Sequence, residues 1–221
     1  LDVFEPLIYN DMTEEQRKEA LRMVNLIKEK RDHTPENPHL KGRSCANGST
    51  QRPHFTREET HSPTVSLDAF MITLLVDALE GRDVSFADVP GAYLHAKMKD
   101  FVAMIITGEE VDMLCKLKPE WKEIEVGEGK NKRLYVRLNK ALYGCVQSAL
   151  LWYELYSETL QGMGFEINPC DLCVANAVIK GKQCTICWYV DDNKISHVDP
   201  SVVDDIISKI EDKFGKMTVT R

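Results

Sequence analysis

Apolar side chains recur every three to four positions in some stretches of this chain and every second position in others, and the two spacings separate helix from strand. From Thr13 to about Lys30, Leu21, Val24 and Ile27 stand three apart with Leu26 beside them, and Thr13 has Gln16 three residues on as a capping partner, so a charged surface helix is expected. From Asp32 to about Ser62 the prolines, glycines and polar residues show little periodicity and predict loop or short strands. Ser66 precedes an apolar run to about Glu80 that Gly81 is suited to close, which predicts a buried core helix. Residues 84–89 alternate as a strand ending near Asp88, before a break at Pro90-Gly91 and a short helix or extended turn from Ala92 to Ala96. Residues 101–107 and 111–117 read as strand material separated by a turn at Gly108-Glu109-Glu110.

Further on, residues 121–126 and 133–138 flank Gly127-Glu128-Gly129 as a hairpin. Ser148 to about Gln161 reads as a helix with Leu151, Trp152, Leu155 and Leu160 on one broad face. Residues 172–179 and 183–190 form a second hairpin about Lys180-Gly181-Lys182, and a strand from Asn193 leaves Asp191-Asp192 in a tight turn. Asp199, Pro200 and the spacing of Val202, Val203, Ile206, Ile207 and Ile210 specify a last helix that Gly215 ends. A final strand from Met217 is cut at Arg221, as at a boundary inside a longer polypeptide. Helices alternating with hairpin-linked strands predict an α+β fold with an antiparallel sheet covered on one face.

Composition narrows the picture. The chain has 221 residues, 43% of them apolar, which suffices for a sizeable core and argues against disorder. A net charge of −7 argues against a surface that clamps nucleic acid everywhere. Residues 28–57 run the other way, with Lys28, Lys30, Arg31, Lys41, Arg43, Arg52 and Arg57 against three acidic residues. That stretch reads either as a solvated loop or as an anion-facing surface. Seven cysteines and an opening at Leu1-Asp2-Val3 without a charged, apolar leader point to a reducing compartment. No apolar run approaches the roughly 20 residues that span a bilayer, so no membrane role is expected.

The carboxylates carry the chemistry. Adjacent aspartates in a tight turn repel each other unless a cation neutralises them, and oxygen-only ligation suits magnesium or manganese. Asp191-Asp192-Asn193 reads equally as an ordinary polar hairpin turn.

Three motifs then resemble one family. Tyr189-Val190-Asp191-Asp192 is similar to the YxDD turn of reverse transcriptases, and Asp88-Val89-Pro90-Gly91-Ala92-Tyr93-Leu94 to the first-aspartate segment of copia-type retrotransposon polymerases. Between them, residues 138–148 with Trp152-Tyr153 resemble the same family's LKKALYGLKQS…WY stretch, and weaker similarity extends the match over about residues 40–221. The resemblance implies a fingers-palm fold with an antiparallel palm sheet backed by helices. With the helix predicted from spacing taken as an N-terminal segment at 1–31, it implies a fingers-like region with the first core helix at 32–87, and mostly palm at 88–221 with a fingers insertion near 97–147, ending before the thumb.

It further implies an RNA-directed DNA polymerase from a Gag-Pol-like polyprotein, with integrase upstream and ribonuclease H downstream, working in cytoplasmic virus-like particles. Asp88, Asp191 and Asp192 would hold two Mg2+ ions, with Mn2+ as a substitute, for nucleotidyl transfer from dNTPs to a primer on an RNA or DNA template. Tyr93 would lie beneath the incoming sugar, Gln147 near the nucleotide and Arg43 at its phosphates, while Lys41, Lys130 and Tyr189 would contact nucleic acid. The chain departs from the family pattern at Pro90-Gly91, at Cys145-Val146 and at residues 44–48. Those departures leave a second reading, a catalytically decayed or truncated nucleic-acid-binding domain. A third, of a different class, is a host scaffold whose Asp turn is only structural.

Other signals are weaker. Cys170-x-x-Cys173 and Cys184-x-x-Cys187 have zinc-like spacing but no glycine-rich knuckle, and their thiols read better as buried small side chains. The six histidines show no ligand spacing, and Gly127-Glu128-Gly129-Lys130 lacks the strand and helix that frame a phosphate loop. Trp152, Tyr153 and Tyr156 read as core aromatics rather than a stacking platform.

Overall fold

The computed structural model describes residues 2–29 and 40–221, so Lys30, Arg31, His33, His39 and the first part of the proline-rich loop lie outside the described residues. In chain order the elements are strand β1 (Phe4–Leu7), helix α1 (Glu14–Glu19), strands β2 (Leu21–Glu29) and β3 (Leu40–Ala46), helix α2 (Leu67–Glu80), strands β4 (Asp83–Asp88) and β5 (Ala103–Thr107), helix α3 (Glu109–Leu117) and strand β6 (Arg133–Leu138). There follow helix α4 (Ser148–Gly162), strands β7 (Glu166–Ile167), β8 (Val174–Ile179), β9 (Lys182–Tyr189) and β10 (Asp192–His197), helix α5 (Pro200–Phe214) and strand β11 (Thr218–Thr220). They gather into two units, Leu1–Thr60 with Lys97–Ser148, and His61–Ala96 with Ala149–Arg221.

In the first unit the expected surface helix is mostly strand. Thr13 Oγ1 accepts the Gln16 N–H at 3.1 Å and Gln16 Oε1 accepts the Thr13 N–H at 2.9 Å, a complete capping box, yet α1 stops at Glu19. Residues 23–29 pair antiparallel with β3, and Leu21 and Arg22 run parallel to β5. The three-residue spacing that suggested a helix buries only Leu21, while Val24, Leu26 and Ile27 stay exposed, so strand pairing outweighs a stripe that has nothing to pack on. The sheet order is β1-β6-β5-β2-β3.

Two further expectations fail in this unit. Residues 111–117 belong to helix α3, whose first turn carries Glu109, Glu110 and Asp112 at the positive end of the helix dipole and whose Val111 is buried. The hairpin expected over 121–138 shrinks to one bridge between Val126 and Arg133, because Pro119 starts a 3-10 turn through Ile124 instead.

The second unit holds an antiparallel sheet in the order β11-β4-β10-β9-β8-β7. Alternation along the strands sorts its faces. Ala87, Ile186, Trp188 and Ile195 join a core with Trp152, Tyr156 and Leu160 of α4 and with Val203, Ile206, Ile210 and Phe214 of α5. Phe86, Lys194 and Cys187 are cross-strand partners on the opposite face. Helix α2 meets that opposite face, since its Asp77 pairs with Lys194.

The caps of α2 are as expected: Ser66 Oγ accepts the Ala69 N–H at 3.2 Å, and Gly81 takes φ 62°. Its burial is not. Asp77 is the buried residue of α2, whereas Leu67, Met71, Ile72, Leu75 and Leu79 are exposed, because apolar residues all round the helix cannot share one docked edge. Among the described residues no helix is long and apolar enough to cross a membrane.

Candidate active site

Strand β4 lies between β10 and β11, and its last residue, Asp88, stands directly opposite Asp192, the first residue of β10. Asp192 also faces Tyr189 across the β9–β10 hairpin, so Val190 and Asp191 are the two central residues of the turn. Val190 has φ 58°, a left-handed conformation that a β-branched residue adopts only under constraint. The constraint is visible. Trp152 Nε1 of α4 donates to the Val190 carbonyl at 2.7 Å, and the Val89 N–H donates to the Asp191 carbonyl at 2.9 Å. Asn193, buried behind the turn, donates through Nδ2 to the carbonyls of Asp191 at 3.0 Å and Ala87 at 3.2 Å, and its Oδ1 accepts the Tyr156 hydroxyl at 2.6 Å.

Three carboxylates therefore converge from a strand end and a turn. Asp192 stays open to solvent on one side, yet the partial burial that remains, then the charges of Asp191 and Asp88, hold its carboxyl above the ordinary carboxylate value. A hard divalent cation relieves that crowding, and oxygen donors suit it. The donor chemistry fits, although among the described residues no three His, Cys, Asp or Glu side chains stand grouped as they would to hold an ion.

Tyr189 is 57% exposed and borders a cavity of about 350 Å³ whose walls include Phe70, Phe86, Asp192 and Lys194. Tyr93 sits in the 3-10 turn Ala92–His95 and packs partly buried against the core. The other sequence-derived candidates belong to the first unit. Arg43 and Lys41 are exposed on β3, with Arg43 over the Tyr143 ring at 5.7 Å and Lys41 directly opposite Lys28 of β2. Two like charges face to face repel each other and favour an anionic partner. Lys130 is exposed in the turn Gly129–Asn131.

Gln147 follows a loop pressed backbone to backbone against the end of β3. A Cβ on Gly144 would lie 1.9 Å from the Ala46 carbonyl oxygen, so only glycine fits there, and the Ala46 N–H donates to the Tyr143 carbonyl at 2.8 Å. Gln147 Oε1 is a buried acceptor without a hydrogen-bond partner among the described residues. A cleft of about 410 Å³ in the same unit is lined by Arg52, Phe55 and Arg57.

Several residues at the site escaped the sequence reading. Lys194 is 1% exposed, two positions beyond Asp192, and pairs with Asp77; Arg82 lies 3.7 Å from the same carboxylate and donates to Thr185 at 3.0 Å. The signal available was a lysine in a strand and an aspartate in an apolar helix, both out of place unless they meet. Of the four paired thiols expected to be buried, Cys170 is exposed; burial pushes Cys173 up to about 12 and Cys184 and Cys187 up to about 11, which leaves those three neutral.

The family model described as "Reverse transcriptase (RNA-dependent DNA polymerase)" matches residues 10–220. The chain belongs to this reverse transcriptase family. The match runs through both units and contains the Asp88 segment, the Gln147 segment and the Asp191-Asp192 turn. Two relatives are polyproteins of Saccharomyces cerevisiae. The Transposon Ty1-NL2 Gag-Pol polyprotein is 27% identical over 209 residues, covering 93% of this chain and 10% of the relative. The Transposon Ty1-DR4 Gag-Pol polyprotein is 29% identical over 185 residues, covering 83% and 10%. This reverse transcriptase chain thus spans about a tenth of the length of the curated relatives it matches.

Proposed function

We propose that this chain performs template-directed nucleotidyl transfer, joining the 3′-hydroxyl of a primer to the α-phosphate of a dNTP with release of pyrophosphate, and so copies retroelement RNA into DNA. The observation that carries the proposal is the register that sets Asp88 opposite Asp192 with Asp191 beside it, on strands braced from behind. In this reading Asp88, Asp191 and Asp192 hold two Mg2+ ions, or Mn2+ in their place. When bound, these ions lower the pKa of the attacking hydroxyl and offset charge on the triphosphate.

The protein's own part is binding and orientation. The three carboxylates contribute negative charge at the ends of two interior strands and the turn beside them, which keeps the reacting groups aligned. Tyr93 lies under the sugar, where its ring excludes a 2′-hydroxyl. Gln147, whose buried acceptor has no hydrogen-bond partner among the described residues, is assigned to the nucleotide, and Arg43 to its phosphates. Lys41, Lys130 and Tyr189 are assigned to the template and primer, and the cleft of Arg52, Phe55 and Arg57 offers the cation and ring combination that single strands use. The unit of Leu1–Thr60 and Lys97–Ser148 is read as fingers and the other as palm. We place the chain in a Gag-Pol-like polyprotein between integrase and ribonuclease H regions, acting in cytoplasmic virus-like particles.

Primer extension on an RNA template in Mg2+ tests the proposal. Asp191→Asn should lower extension at least about 100-fold, the scale of losing a group that stabilises the transition state. Equal extension by both chains sinks the assigned site, and silence from a folded chain that binds template and primer favours a nucleic-acid-binding domain without catalysis.

A further inference from the structure

The face of the sheet behind the carboxylates carries a polar feature that the apolar core does not require. Tyr156, Asn193 and Trp152 are all nearly or fully buried, yet each spends a polar atom on the segment that carries the aspartates. Trp152 and Tyr156 stand four residues apart on α4, their rings stacked at 5.2 Å, so their polar tips reach successive points of the β10 edge. Trp152 takes the Val190 carbonyl, and Tyr156 takes Asn193.

The amide of Asn193 can be oriented by elimination. Its two backbone partners, the Asp191 and Ala87 carbonyls, can only accept, so Nδ2 must face them and Oδ1 must face the Tyr156 hydroxyl, which donates. Ala87 immediately precedes Asp88, and the Asp191 carbonyl already receives the Val89 N–H from the residue after Asp88. One side-chain amide thus spans both aspartate-bearing segments.

We infer that Asn193, oriented by Tyr156, is a positioning residue that sets the Asp191-Asp192 pair against Asp88. Neither side chain reaches the open face, so the pair acts only through the backbone of the turn. The inference rests on the functional reading above for its catalytic consequence but not for its geometry. Without this task phenylalanine would serve as well as a core tyrosine, and the turn at Val190 would be held by Trp152 and the Val89 N–H alone.

Four versions of the full chain test it: the parent, Tyr156→Phe, Asn193→Leu and the double variant. Tyr156→Phe leaves Asn193 Oδ1 buried and unpaired and should lower the thermal midpoint by roughly 2–8 °C. It should also lower kcat for primer extension about 10-fold or more with little change in KM for dNTP. The double variant replaces both partners by apolar groups, so its thermal midpoint should return most of the way while kcat stays low. Recovery of kcat together with the midpoint would reduce the pair to packing and overturn the inference, as would parent-like kcat in Tyr156→Phe. Amide hydrogen exchange at Val89, whose N–H joins the two segments, should be faster in both single variants. If the parent and Asp191→Asn are equally inactive, the functional reading fails and the Val89 exchange rate alone decides. Faster exchange then keeps the clamp, and an unchanged rate removes it.

Discussion

Asp192 shows how a carboxylate crowded by its neighbours works against the stability of the protein that carries it. The folded state holds its proton more tightly than the unfolded chain does, because partial burial and the neighbouring Asp191 and Asp88 charges disfavour the anion. Stability therefore falls as pH rises through the interval between the unfolded and folded values, and above that interval the cost is fully present. Asp192→Asn should raise the thermal midpoint at neutral pH by about 1–3 °C while abolishing extension, and the gain should vanish at a pH below the unfolded value. Thermal melts of both proteins across acid and neutral pH check it. Tyr93, in the turn after Asp88 and partly packed on the core, is the residue proposed to lie under the incoming sugar. Tyr93→Ala should narrow the preference for dNTP over rNTP, measured as the ratio of kcat/KM values, and an unchanged ratio takes the residue out of that role.

Between elements, the connection of α2 to the sheet of the second unit depends on a buried ion pair. Asp77 and Lys194 form a buried pair with Arg82 alongside, while the helix leaves Leu67, Met71, Ile72, Leu75 and Leu79 in solvent. Breaking such a pair from one side leaves an uncompensated charge. Asp77→Leu leaves Lys194 buried without its counter-ion and should lower unfolding stability by about 3 kcal/mol, and adding Lys194→Met should restore most of the loss, because Arg82 keeps Glu80 at 2.9 Å; urea unfolding of the single and double variants measures both. The register that puts Lys194 opposite Phe86 and Cys187 is the one that puts Asp192 opposite Asp88 and Tyr189, so the ion pair also guards against a one-residue slip. Caps and turns at this level follow local chemistry closely. Thr13, Ser66 and Asp199 cap the helices their types suggest, and Lys180 and Gly181 take the positive φ values of their tight hairpin.

At the scale of the molecule, cation binding should appear as stability, because an ion that binds only the folded carboxylate cluster shifts the unfolding equilibrium. Millimolar Mg2+ should raise the thermal midpoint of the parent chain and leave Asp191→Asn unmoved, with a monovalent salt of equal ionic strength as control. An equal rise in both would assign the effect to general screening. The chain is long enough to form two units, each with its own sheet, and the family match covers both. The α+β class, the last helix and the hairpin at Lys180-Gly181 were legible in the residues themselves, because caps and strand alternation act over a few positions, while the three aspartates stood out through the motifs they share with a family. The strand at residues 21–29, the helix at 109–117 and the exposure of α2 were not, since each depends on which partner the chain meets after folding. The same division runs through the site. Local sequence determined that Asp88, Asp191 and Asp192 exist and that two of them share a turn, whereas tertiary structure alone decided that Asp88 faces Asp192, that Asn193 and Tyr156 meet behind them, and that Lys194 finds Asp77. Those pairs are separated by 37 to 117 residues along the chain, so only the free energy of the whole packed sheet, and no local preference, brings them together.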